Sequence, residues 1–146
     1  MNKSLVVLVF FFAGVFNIHS QLHEIQIEIE NIKNSGTAYI AIYNNSKSFE
    51  KGYGNKSDQK KLYIKSIVEK VNSGRFIKNI ILKEGVYAIS LFIDTNQNMK
   101  IDKNIIGIPT EQYGFSNNVS GILGPPSFKN ASFKLVKDLK LKIVLK

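Results

Sequence analysis

Apolar and polar residues alternate with a period of two along most of this chain, the pattern of β-strands with one buried face. In LHEIQIEIEN, Leu22 is followed by Ile25, Ile27 and Ile29 on one face, with Glu24, Gln26, Glu28 and Glu30 on the other. Asn34, Ser35 and Gly36 turn the chain into TAYIAIYN, where Ala38, Ile40 and Ile42 alternate with Tyr39, Ala41 and Tyr43. Both of its faces are partly apolar, as in a central strand. Residues 44 to 61 are rich in Lys, Gly, Asn and Ser and hold no sustained apolar period, which predicts a long polar loop with a short helical turn near Phe49. KLYIKSIVEKV has a mixed period through Leu62, Ile64, Ile67, Val68 and Val71, and its β-branched residues favour a strand. RFIKNIILK predicts another.

After Glu84 and Gly85, VYAISLFID sets Tyr87, Ile89, Leu91 and Ile93 against Val86, Ala88, Ser90 and Phe92, a nearly continuous apolar run suited to the middle of a sheet. Residues 94 to 130 are rich in Asn, Gly and Pro, interrupted by the run IIGI at 105 to 108. ASFKLV and LKLKIVLK close the chain as an expected hairpin, with Leu139, Leu141, Ile143 and Leu145 inward opposite Lys140 and Lys142. About seven strands and no dependable helix predict an all-β fold, a single antiparallel β-sandwich of immunoglobulin or transthyretin-like type.

The first 20 residues break this pattern. MNKSLVVLVFFFAGVFNIHS has one positive charge at Lys3, an apolar run over residues 5 to 16 and a small residue, Ser20, at its end. That is the form of a cleaved secretory signal peptide, and the run is shorter than the roughly 17 to 25 residues a bilayer span needs. The expected product is residues 21 to 146, a β-sandwich domain without a transmembrane anchor, exported to the periplasm or the exterior and monomeric. The chain has no Cys, so no disulfide supplements its core. Its net charge of +9 is almost all lysine, Arg75 being the one arginine, which argues against nucleic acid as a partner. Lysines on outward strand faces instead discourage edge-to-edge pairing.

One segment carries metal chemistry. After Ile93 the sequence DTNQNMKID places side-chain oxygens of Asp94, Asn96, Asn98 and Asp102 at positions 1, 3, 5 and 9 of a tight loop, with the carbonyl of Lys100 at position 7. Position 6, where a left-handed turn favours Gly, is Met99, and position 12 is Ile105 in place of a bidentate acid. The loop reads either as a calcium site of weak affinity or as a turn built from Asp and Asn side chains. Ile101 is expected to anchor it to the core, and Glu111 is the nearest downstream acid able to supply a further oxygen.

The segments GVYAISLFIDTNQNMKID, GIPTEQYGFSNN and GPPSFKNASF resemble a family of exported bacterial proteins, domain of unknown function 2141. The resemblance spans roughly residues 23 to 145 and is most specific in the second half. It implies a transthyretin-like or prealbumin-like sandwich at the cell envelope and transfers no catalytic residue. The family pattern has Gly where this chain has Met99.

With His23 the one histidine after the leader, a Ser-His-Asp or multi-histidine zinc site is not expected, and the chain reads as a non-enzyme. The favoured function is an envelope binding or accessory module for a glycan or an envelope protein. Glu111, Tyr113 and Asn117 are its candidate ligand contacts, while Phe115 and Phe128 are expected to plug the open end of the sandwich. The alternatives are a structural protein-protein interaction domain without an ion and, last, a carboxylate-based hydrolase.

Overall fold

The computed structural model describes residues 21–52, 62–121 and 124–146. The expected signal peptide, residues 1 to 20, and the second half of the polar stretch 44 to 61 lie outside the described residues. The chain runs β1 (Leu22–Ile32), β2 (Gly36–Tyr43), α1 (Ser46–Lys51), β3 (Lys65–Val71), β4 (Gly74–Lys83), β5 (Gly85–Asp94), β6 (Tyr113–Phe115), a 3₁₀ turn (Ser116–Asn118), α2 (Phe128–Ala131), β7 (Phe133–Leu135) and β8 (Leu139–Val144). One sheet has the order β4-β1-β8 and the other β3-β2-β5-β6, with β7 paired to the start of β5.

The alternation places each strand's side chains. Ile25, Ile27 and Ile29 of β1, Ile80 of β4, and Leu141 and Ile143 of β8 meet Ala38, Ile40 and Ile42 of β2, Ile67 of β3, and Ile89, Leu91 and Ile93 of β5. Most of these side chains are fully buried, and they form the sandwich core. On the solvent face of the smaller sheet the glutamates of β1 are flanked by cations. Arg75 pairs with Glu28 at 3.1 Å, and Lys142 with Glu30 at 2.9 Å. The Lys142 ammonium holds the Glu30 carboxyl below its usual range. Lys78 of β4 is paired with Glu69 of β3, one strand from each sheet.

Two expectations are corrected. ASFKLV and LKLKIVLK do not form a hairpin: β7 pairs antiparallel with β5, and β8 pairs parallel with β1, Ile27 opposite Leu141. The sandwich is therefore antiparallel except for that pair. Beyond β8 the chain crosses to the other sheet, where Lys146 N donates to Tyr113 O at 3.0 Å. This ties β6 to the chain's end. Gly114 permits the approach, because a Cβ there would lie 2.7 Å from Ile143 Cγ2. The third strand also begins later than its apolar pattern suggested, at Lys65.

The solvent face of the five-stranded sheet is not uniformly polar. Its far end carries a second apolar cluster of Tyr43, Phe49, Ala88, Phe115 and Ala131, with Phe128 packed against it. Phe115 and Phe128 thus cover the outside of a sheet and do not plug the end of the sandwich. The helical turn expected near Phe49 is α1, capped by Asn45, whose Oδ1 accepts from Ser48 N at 2.9 Å.

Candidate functional site

Strand pairing lines up aromatic residues across the part of this outer face that the second cluster leaves uncovered among the described residues. Val68 of β3 lies opposite Tyr39 of β2, Tyr39 opposite Phe92 of β5, and Phe92 opposite Tyr113 of β6. Directly opposed residues share a face. The next row is Ser66, Ala41, Ser90 and Phe115. Tyr39 and Phe92 are stacked, with ring centroids 5.1 Å apart and planes within 8°.

Asp94 is two residues beyond Phe92 and on the same face, so the loop it opens leaves β5 on the outer side. Its carboxylate is fully buried. Oδ1 accepts from Gln97 N at 2.7 Å and Asn98 N at 3.3 Å, and Oδ2 accepts from Met99 N at 2.8 Å. These bonds fold the chain into a tight coil in which Gln97 and Met99 both take positive φ, 63° and 61°. The left-handed conformation expected at position 6 is present, and a non-glycine residue holds it.

Asn96 Nδ2 and Asn98 Nδ2 converge on Asp102, donating to Oδ2 at 2.6 Å and Oδ1 at 2.9 Å. Lys100 N donates to Asn98 Oδ1 at 2.9 Å. Glu111 is buried and does fold back to the loop. It accepts from Thr95 N at 2.8 Å and Asp102 N at 3.1 Å, so it braces both ends. Among the described residues no three His, Cys, Asp or Glu side chains gather as a metal cage.

The loop walls a groove of about 710 Å³. Tyr39, Phe92 and Val68 lie along it, Tyr43 and Tyr63 at one end, and Met99, Ile101 and Lys103 at the other. Ser66, Ser90, Lys100 and Asp102 add polar groups. Ile101 thus faces the groove and the loop, not the sandwich core. Burial pushes the Tyr43 phenol above its usual range, partly offset by a hydrogen bond with Ser90. The native state therefore prefers the protonated phenol. The stability this gives is complete below about pH 10 and is lost as pH rises through the raised value. Urea midpoints at pH 8 and pH 11 should fall less for Tyr43→Phe than for the parent; equal falls would place the alkaline sensitivity elsewhere.

The chain belongs to the family described as uncharacterized protein conserved in bacteria, domain of unknown function 2141. The family matches residues 27–143, nearly the whole sandwich. No match was found among curated proteins or among solved structures.

In this member of domain of unknown function 2141, the sequence-predicted residues divide into two groups. Asp94, Asn96, Asn98, Lys100, Asp102 and Glu111 are brought together in one hydrogen-bonded loop. Tyr113 and Asn117 lie apart from it. Tyr113 is half-buried and packs edge-on to Phe115 at 5.9 Å, extending the aromatic row beyond the groove. Asn117 Nδ2 donates to the carbonyls of Asn130 at 3.0 Å and Ser132 at 2.8 Å. Its neighbours do similar work. Ser116 bonds the backbone of Ile89 and Ala131, and Asn118 bonds Lys142 O and Val144 N along β8. The GFSNN motif stitches three parts of the chain together. The groove residues Tyr39, Tyr63, Ser66, Ser90 and Phe92 were not among the predicted contacts; the apolar second face of TAYIAIYN was their signal.

Proposed function

We propose that this protein is an exported binding module of the bacterial envelope, with its ligand seat in the aromatic groove on the outer face of the five-stranded sheet. The observation that carries this reading is the stacked Tyr39–Phe92 pair on that face, in a groove with hydroxyls and charges around it. A sugar ring presents an apolar C–H face and a hydroxyl rim, and a concave aromatic surface with a few polar groups is matched to both. Ser66, Ser90, Asp102 and Lys103 are the groups that would meet the hydroxyls.

Calcium is the proposed ion of the loop that forms the wall. Turning over the Asn96 and Asn98 amides would set two carbonyl oxygens beside the Asp102 carboxylate in place of two N–H donors, and Ca²⁺ takes neutral oxygens of this kind; the turn costs the bonds that Asn98 N and Lys100 N now donate to those oxygens, which the ion must offset. Few charged ligands make such a site weak.

The chain has 6 Tyr and no Trp, so tyrosine emission can follow both events in one titration, first with calcium and then with a panel of glycans and peptides. A saturable change with one glycan class, lost in Tyr39→Ala and Phe92→Ala variants that keep their fold, is the expected result. Silence towards the whole panel would remove the groove reading. Recovery of one stoichiometric envelope protein instead would favour the structural interaction domain.

A further inference from the structure

Residues 102 to 110 form a small hairpin that projects from the groove wall. Thr110 N donates to Asp102 O at 2.8 Å, Lys103 and Pro109 form an antiparallel bridge, and Asn104 N donates to Ile108 O at 2.8 Å. Its apex is Ile105, Ile106 and Gly107. Asn104 closes the apex from within: its carbonyl accepts from Gly107 N at 3.0 Å, and its Oδ1 accepts from Ile106 N at 3.1 Å and Ile108 N at 3.0 Å. Glu111 fixes the base through Asp102 N.

This ordered turn displays its most apolar side chains to solvent. Ile105 has a fractional exposure of 104 %, Ile106 74 % and Ile108 54 %. Isolated exposed aliphatics are ordinary, but three within four residues at a convex tip form a surface feature. Lys103 at the hairpin base and Lys100 just before it are both exposed. The apex is thus apolar and its foot cationic.

The geometry points to a lipid-surface contact: the apex formed by Ile105 and Ile106 enters the boundary between headgroups and acyl chains of an anionic bilayer, while Lys100 and Lys103 stay among the headgroups. Three features favour this occupant. A protruding tip suits a soft apolar phase better than a rigid pocket. Three apex N–H groups are already bonded inside the turn, so leaving water strands none of those donors. Finally, residues 21 to 146, the exported part under the proposed function, keep a net charge of +8 once Lys3 is removed and are drawn to an anionic surface, where basic residues and apolar side chains act together. Among the described residues no helix is long and apolar enough to cross a membrane.

Because the chain lacks Trp, an Ile106→Trp variant carries a single indole at the apex as a depth probe. With vesicles of phosphatidylcholine and phosphatidylglycerol, its emission should shift to the blue and be quenched by brominated acyl chains, and pure phosphatidylcholine should give much less of either. In sedimentation with the same anionic vesicles, the double variant Ile105→Asp, Ile106→Asp should bind at least tenfold more weakly. Lys100→Ala and Lys103→Ala should each lose about fivefold, and the loss should shrink as salt rises. These side chains are exposed, so the variants should melt with the parent. Unchanged indole emission, or vesicle binding that the two aspartates leave intact, would overturn the proposal. So would a blue shift that needs no lipid and follows protein concentration into a dimer, which would assign the tip to a second copy of the chain.

Discussion

Replacing Phe49 by alanine should lower unfolding stability by about 3 to 4 kcal/mol, within the range for large aromatic truncations in a core. Phe49 is fully buried although it stands on the solvent side of a sheet. It meets Tyr43 edge-on at 5.4 Å, Phe128 at 5.9 Å and Phe115 at 6.2 Å. Its helix, α1, spans only Ser46–Lys51, and a helix this short has no stability of its own. Packing through Phe49 is what holds it. The alanine variant should therefore show a fall of the melting midpoint on the order of 10 °C. Amide exchange should rise in residues 46 to 51 and 128 to 131 before it rises in the sandwich core. Phe49→Leu keeps most of the buried area and should cost less than half as much. A cost below about 1 kcal/mol for Phe49→Ala would mean that this cover is not part of the cooperative fold.

How far the fold is readable from sequence depends on which partner decides each element. The alternation in LHEIQIEIEN and TAYIAIYN marks β1 and β2 because period two is local, and burial of one face enforces it. Pairing is different. LKLKIVLK has the same inward and outward faces whether it folds back on ASFKLV or lies parallel to β1, and only the distant Ile25, Ile27 and Ile29 decide. Local turn residues therefore suggested a hairpin that tertiary packing overrides. The loop was legible for a related reason. Oxygens at residues 94, 96, 98 and 102 follow from the spacing, which also requires a left-handed residue at position 6, and Met99 takes that conformation against its steric cost. What spacing could not reveal is which groups those oxygens meet, and here they meet backbone and side-chain amides. The groove was half legible. Tyr39, Ala41 and Tyr43 announce an apolar second face, but a central strand, a covered outer face and a ligand groove all produce that pattern. Tyr43 turned out to be covered by Phe49, while Tyr39 and Phe92 line the groove.

The charge on Asp94 is the other point on which much of the site depends. Asp94→Ala should lower stability by about 3 kcal/mol, since hydrogen bonds to a charged group contribute roughly 1.5 to 3 kcal/mol and a lost acceptor leaves several donors unpaired. Three N–H groups, those of Gln97, Asn98 and Met99, converge on this one carboxylate. Two of those residues have positive φ, which L-residues adopt at a cost, and the carboxylate is what offsets it. Without it, the loop should relax towards ordinary backbone angles and the wall formed by Met99 and Ile101 should leave the groove. Asp94→Asn would restore the shape but set an NH₂ group against N–H donors, so its cost should be nearly as large. Asp102 stands in contrast. Its side chain receives only the amides of Asn96 and Asn98 in the more exposed part of the loop, and Asp102→Ala should cost about 1 kcal/mol or less. Urea unfolding of the three variants in the presence of a chelator measures this ordering directly. Equal losses at Asp94 and Asp102 would show that the carboxylates act as a pair and not as an anchor and its ornament. Equal losses that appear only when calcium is added would make the ion, not the turn, the source of the loop's order.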